Sequence, residues 1–119
     1  MSKIVQAANA MIVNSHLVTH VMPMGSRYIF VYNNKYKWSI STWQEAGVDT
    51  YQLIFFPGKI DLEDASTLKS SSPPYVAYST KEFSSKEALD SFSELYMIIQ
   101  EKLYGVDKAL EDIIKDVKI

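Results

Sequence analysis

At 119 residues the chain is one domain's worth of sequence, and 47% hydrophobic beside 22% charged residues describes a globular protein rather than a disordered one. Cysteine is absent, which excludes disulfides, thiolate zinc sites, iron–sulfur ligation and cysteine nucleophiles and fits a cytoplasmic protein. The net charge of −2 conceals a polarity: residues 1–60 hold five basic and two acidic side chains, residues 61–119 seven and twelve, a basic excess too small to argue for duplex nucleic acid.

Residues 3–19 are predicted helical. Ile4, Ala8, Met11 and Ile12 share a face, and Ala10, Val13, Leu17 and Val21 continue an adjacent one until Pro23 and Gly25 end the segment. A wide, uncharged apolar arc of this kind is buried on more than one side or sits at an oligomer interface. Gln6, Asn9, Asn14, Ser15, His16, Thr19 and His20 interrupt the run, so neither a membrane span nor an export signal is expected.

The segment 27–56 concentrates Tyr28, Phe30, Tyr32, Tyr36, Trp38, Trp43, Tyr51, Phe55 and Phe56. Two strand-like runs, Arg27–Tyr32 and Lys35–Thr42, are divided by Asn33-Asn34 and read as a hairpin. Its register has two solutions. A two-residue type I′ loop suits Asn, which tolerates positive φ, and pairs Ile29 with Trp38 and Val31 with Tyr36. A three-residue loop pairs Tyr32 with Tyr36 and Phe30 with Trp38 and flips one strand's faces. Area favours that second version by about 2–3 kcal/mol, because three aromatics are buried in place of two aliphatics. Turn chemistry favours the first, which is the expectation adopted here. It makes Tyr28, Phe30, Tyr32, Lys35 and Lys37 one candidate partner-binding face of rings interleaved with lysines, unless a helix covers it.

A third strand is expected over Tyr51–Phe56, closed by Pro57-Gly58. One or two helical turns follow over Asp61–Leu68, then a loop through Ser70–Pro74 and a fourth strand over Tyr75–Thr80. Ser84 and Glu87 have capping-box spacing and open a helix that buries Ala88, Leu89, Phe92, Leu95, Tyr96, Ile99 and Leu103 before Gly105 stops it. Asp107 then caps a last helix with Leu110, Ile113, Ile114 and Val117 on one face. The expected class is α+β: an N-terminal helix, a four-stranded antiparallel meander and two C-terminal helices packed on the sheet, in a single domain spanning residues 1–119.

No motif carries chemistry. His16 and His20 lie four apart on the predicted helix, but Leu17 stands where a zinc-protease helix has Glu, and no metal site is expected. Asp61, Glu63 and Asp64 lack the spacing of a calcium loop. Glu45 and Asp49 are a carboxylate pair with no pocket assigned to them, and no Gly-x-Ser-x-Gly or phosphate-loop pattern is present. The expectation is therefore a non-catalytic protein-binding module without cofactor: a small inhibitor, immunity protein or adaptor whose partner is another protein, such as a host defence enzyme or a toxin. At class level a compact acidic α+β chain of this size resembles phage-encoded inhibitors of bacterial defence enzymes. Its element order resembles type III secretion chaperones, although those carry further strands after the middle helix. Neither resemblance rests on a motif, so no residues are carried over. Single-stranded nucleic-acid binding through the aromatic–lysine face is the alternative. The surplus apolar helix surface predicts a homodimer.

Overall fold

The computed structural model describes residues 2–57, 74–82 and 85–116, the side chains of Val106 and Asp107 excepted. Helix α1 (Lys3–Val13) and a single 3-10 turn (Ser15–Leu17) lead into strands β1 (Val18–Met24), β2 (Arg27–Tyr32), β3 (Tyr36–Glu45), β4 (Val48–Phe56) and β5 (Val76–Ser79). Helices α2 (Lys86–Tyr104) and α3 (Val106–Lys115) complete the chain. The fold is α+β, with one antiparallel sheet in the order β1-β2-β3-β4-β5, a meander with one strand more than expected. The helical turn expected over Asp61–Leu68 lies outside the described residues, as does most of the expected Ser70–Pro74 loop.

The additional strand comes from the region read as the end of the first helix. Ser2 caps α1 by accepting from Val5 N–H at 3.3 Å, but at Asn14 the side-chain amide donates to the Ala10 carbonyl beside the backbone N–H. That competition, followed by β-branched Val18, Thr19 and Val21, turns the chain from helix to strand. Pro23 is tolerated because β1 is an edge strand. The strand carries a bulge: His20, at φ 56°, and Val21 together lie between the pairs Thr19–Val31 and Met22–Ile29. The bulge lets both Val18 and Val21 pack into the core.

The β2–β3 hairpin takes the second of the two registers. Tyr32 pairs with Tyr36, Phe30 with Trp38 and Ile29 with Ser39. The turn chemistry is nevertheless type I′: Asn33 and Asn34 have φ of 54° and 55°, and Lys35 N–H donates to the Tyr32 carbonyl at 3.1 Å. Lys35 is an extra residue between that turn and the first strand pair, so burial of the rings sets the register while the asparagines still form the loop.

Helices α1 and α2 lie together on one sheet face. Ile4, Val5, Ala8 and Met11 of α1 and Ala88, Phe92, Leu95 and Ile99 of α2 close over Val18, Phe30, Ile40 and Leu53. Ser91 Oγ–H donates to Asn9 Oδ1 at 2.7 Å where the two helices meet. Phe30, Ile40, Leu53, Phe92, Leu95 and Ile99 are fully buried, each stabilising the fold by roughly 1.5–3 kcal/mol. Ile29, Val31, Ile54 and Phe56, which point to the other face, are buried as well. Helix α2 begins one residue later than expected: Ser85 is the N-cap, accepting from Ala88 N–H at 3.2 Å. Ser84 lies outside the described residues. Gly105 ends α2 in the left-handed conformation as expected, its N–H donating to the Glu101 carbonyl.

Candidate functional site

The five residues expected to share a partner face do not do so. Phe30 is fully buried beneath the helices, and Tyr28 and Tyr32 are half-buried against the same core. Lys37 lies on the opposite face beside Val31 and Phe56, 8% exposed, with its ammonium 5.7 Å from the Phe56 ring centroid. Burial holds its pKa below the ordinary lysine value. Of the five, Lys35 alone is exposed. The platform on which the nucleic-acid alternative rested is absent for the same reason: the extra residue at Lys35 turns the rings toward α1 and α2.

The rings form two groups at opposite ends of β2. Near its start, Tyr28, Tyr51 and Tyr96 pack with centroids 5.5 and 5.8 Å apart around Tyr96, and Gln100 Nε2–H donates to the Tyr28 hydroxyl at 3.3 Å. That bond lowers the Tyr28 pKa, whereas burial and the neighbouring Tyr28 push Tyr96 up to about 12. Toward the hairpin tip, Trp38 and Phe55 lie 4.9 Å apart, and Tyr36 and Phe55 6.2 Å. These rings, with Tyr32 and Tyr78, floor an open groove of about 320 Å³ against α1. The groove exists because α1 presents Ala7 and Ala10 there beside Met11, leaving space that larger side chains would fill. Among the described residues its lining carries no charged side chain. The Trp38 indole N–H is closed off from solvent and has no hydrogen-bond partner among the described residues.

The second feature is α3. Gly105 both ends α2 and opens α3, at φ 63°, its carbonyl accepting from Ala109 N–H at 3.0 Å. The cap position is Gly105 and not the expected Asp107: the helix starts at Val106, so Asp107 lies inside its first turn. Leu110, Ile113 and Ile114 are 53%, 62% and 69% exposed. At 3.6 residues per turn they form one stripe. On the same projection Glu111 borders it on one side and Asp116 on the other, and Lys108, Asp112 and Lys115 fall around the opposite pole. Val117, expected to extend the stripe, lies outside the described residues.

The other candidates separate. His16 is exposed on the 3-10 turn and His20 is exposed at the β1 bulge, so they do not share a helix face. Among the described residues no cluster of three or more metal-ligating side chains exists. Asp61, Glu63 and Asp64 lie outside those residues. Glu45 and Asp49 do border a cavity, of about 560 Å³, beside Lys81 and the start of α2. There Lys81 Nζ–H donates to Glu45 at 2.8 Å and holds its carboxyl below the usual range, while Asp49 accepts from Gln44 Nε2 at 3.1 Å. A carboxylate held ionised by a lysine does not serve as a proton donor at neutral pH. No described helix is long and apolar enough to cross a membrane.

No protein-family model, curated protein or solved structure matches the chain significantly.

The groove was not foreseen, because it requires β2 and β3 in the three-residue register and α1 ending at Val13. The α3 stripe was legible as an apolar helix face. Its exposure was not, since periodicity does not say which of two C-terminal helices the sheet accommodates.

Proposed function

We propose that the protein is a non-catalytic protein-binding module that acts as a small inhibitor, immunity protein or adaptor does, by occupying a surface of a partner such as a defence enzyme or toxin. The observation that carries this reading is the exposed stripe Leu110, Ile113 and Ile114 on α3. Anchors at i, i+3 and i+4 are those of an amphipathic helix laid into an apolar groove. Full burial of three such side chains is worth roughly 1.5–3 kcal/mol each before the losses of association. The acidic borders select a groove with basic rims.

Affinity capture with the wild type and with Ile113→Glu, followed by reconstitution with the purified captured protein, tests the reading. The expected result is a partner that binds the wild type and loses at least tenfold in affinity for the variant. A partner that binds both equally assigns recognition to another surface and overturns the role given to α3.

A further inference from the structure

The chain carries both halves of a helix-in-groove contact, and they do not meet within this molecule: Leu110, Ile113 and Ile114 are exposed and none of them lines the groove. The aromatic groove opens at the Tyr32–Tyr36 end of the β2–β3 hairpin. Gln100, one turn before the end of α2, donates to the Tyr28 hydroxyl near the other end of β2. Four strand residues separate the two points, about 13 Å, and α3 starts from the far one. We propose that the α3 stripe of one chain docks in the α1–sheet groove of a second copy, and that the exchange is reciprocal. This rests on the reading of α3 as a docking helix and names its partner as the chain itself.

Three observations converge on a second copy. The first is chemical fit: the aliphatic stripe of Leu110, Ile113 and Ile114 matches a groove of rings, alanines and Met11 that carries no charged side chain among the described residues. The second is charge. The stripe is bordered by Glu111 on one side and Asp116 on the other. Two lysines adjoin lining residues along the chain, Lys3 one helical turn before Ala7 on α1 and Lys35 next to Tyr36; both are exposed and no acid occurs before Glu45. The polarity of the whole chain, basic in its first half and acidic in its second, is the same complementarity at larger scale. The third is area. A helix of ten residues is about 15 Å long and presents on the order of 200–300 Å² to one groove. That is short of the about 800 Å² per partner of a stable interface, so one head-to-tail contact does not suffice. Reciprocal exchange doubles the contact to about 400–600 Å² per partner, the size of a weak, reversible interface, and closes the pair on a two-fold axis, where a one-way contact would propagate into a chain.

Sedimentation equilibrium of the wild type, Ile113→Glu and Ala10→Glu tests the proposal. Both substitutions are at exposed helix positions, and circular dichroism melts establish that each variant keeps its fold. The wild type is expected at twice the 13.6 kDa chain mass, and each variant to lose about thirtyfold or more in dimer affinity, the scale of a removed interface anchor. Lys3→Glu with Lys35→Glu supplies an arm that leaves the apolar surfaces intact: affinity falls and its dependence on salt reverses, because salt now screens a repulsion. A wild type that remains monomeric overturns the proposal. So does an Ala10→Glu variant that dimerises like the wild type, which assigns the contact to α3 against α3, and so does a mass that climbs without limit with concentration. A monomeric wild type whose captured partner still rejects Ile113→Glu leaves the α3 docking reading standing. A wild-type dimer whose captured partner binds Ile113→Glu unchanged refutes that reading's foreign partner while retaining the dimer.

Discussion

Replacing Phe30 with alanine tests the register on which both the core and the groove depend. Phe30 is fully buried between β2 and the helices and sits directly opposite Trp38. A phenyl side chain buries about 150–250 Å², which at about 25 cal/mol per Å² is roughly 4–6 kcal/mol before alanine's own burial is subtracted. The remaining cavity adds to the loss, and the expected destabilisation is about 3–5 kcal/mol. Urea unfolding followed by far-ultraviolet circular dichroism measures it, with an unchanged slope against denaturant confirming that only stability has moved. The companion substitution Lys35→Ala, at an exposed turn residue, is expected to change stability by less than about 0.5 kcal/mol. A double-mutant cycle of Phe30 with Trp38 should yield a coupling of about 0.5–1 kcal/mol, as for rings facing each other across two strands. A loss below about 1 kcal/mol for Phe30→Ala, or coupling of Phe30 to Lys37 rather than to Trp38, refutes the register.

Three further outcomes follow from local geometry. Ala46 adopts φ 53° ahead of Gly47 in the two-residue loop between Glu45 and Val48; Ala46→Asn converts it to the preferred Asn-Gly turn and should raise stability by about 0.5–1 kcal/mol in the same unfolding assay. Lys37→Met replaces a buried ammonium by a thioether of similar length and should stabilise by about 1 kcal/mol at neutral pH. Because the folded-state pKa of Lys37 is depressed, the folded chain binds fewer protons than the unfolded one between that lowered value and the ordinary lysine pKa. Wild-type stability attributable to this group therefore rises with pH through that window, and the advantage of Lys37→Met shrinks there. For Tyr96, pushed up to about 12 mainly by burial, the sign reverses: its contribution is complete below the ordinary tyrosine pKa near 10 and is lost as pH rises through the folded value. Spectrophotometric titration of tyrosinate should show a late-ionising ring that disappears in Tyr96→Phe.

How much of this was readable from residues alone varies by element. Strand β2 occupies Arg27–Tyr32 as its composition indicates, and Gly105 ends α2 because a left-handed residue there has few alternatives. The 18–24 stretch misled because Leu17 and Val21 fit a helical period while Val18, Thr19 and Val21 fit a strand; pairing with β2 decided between them. At Asn33-Asn34 two local arguments pointed to different registers, and the chain satisfies both by inserting Lys35, an arrangement that neither argument alone contains. Ser85 rather than Ser84 caps α2, a one-residue choice between adjacent serines that spacing to Glu87 does not resolve. The groove depends on three separated segments, α1, the β2–β3 tip and β4–β5, and on two alanines whose small size signals a groove only once their neighbours are placed.

The absence of cysteine makes the contact between copies directly measurable. Ala10→Cys and Ile113→Cys, mixed in equal amounts under mild oxidation, place one thiol in the groove and the other on the docking stripe. The expected product is a disulfide-linked heterodimer joining Cys at position 10 to Cys at position 113, formed faster than in a mixture of Ile113→Cys with Glu82→Cys, an exposed site away from both surfaces. Cross-linking no faster than with that control would contradict the docking of α3 in the groove.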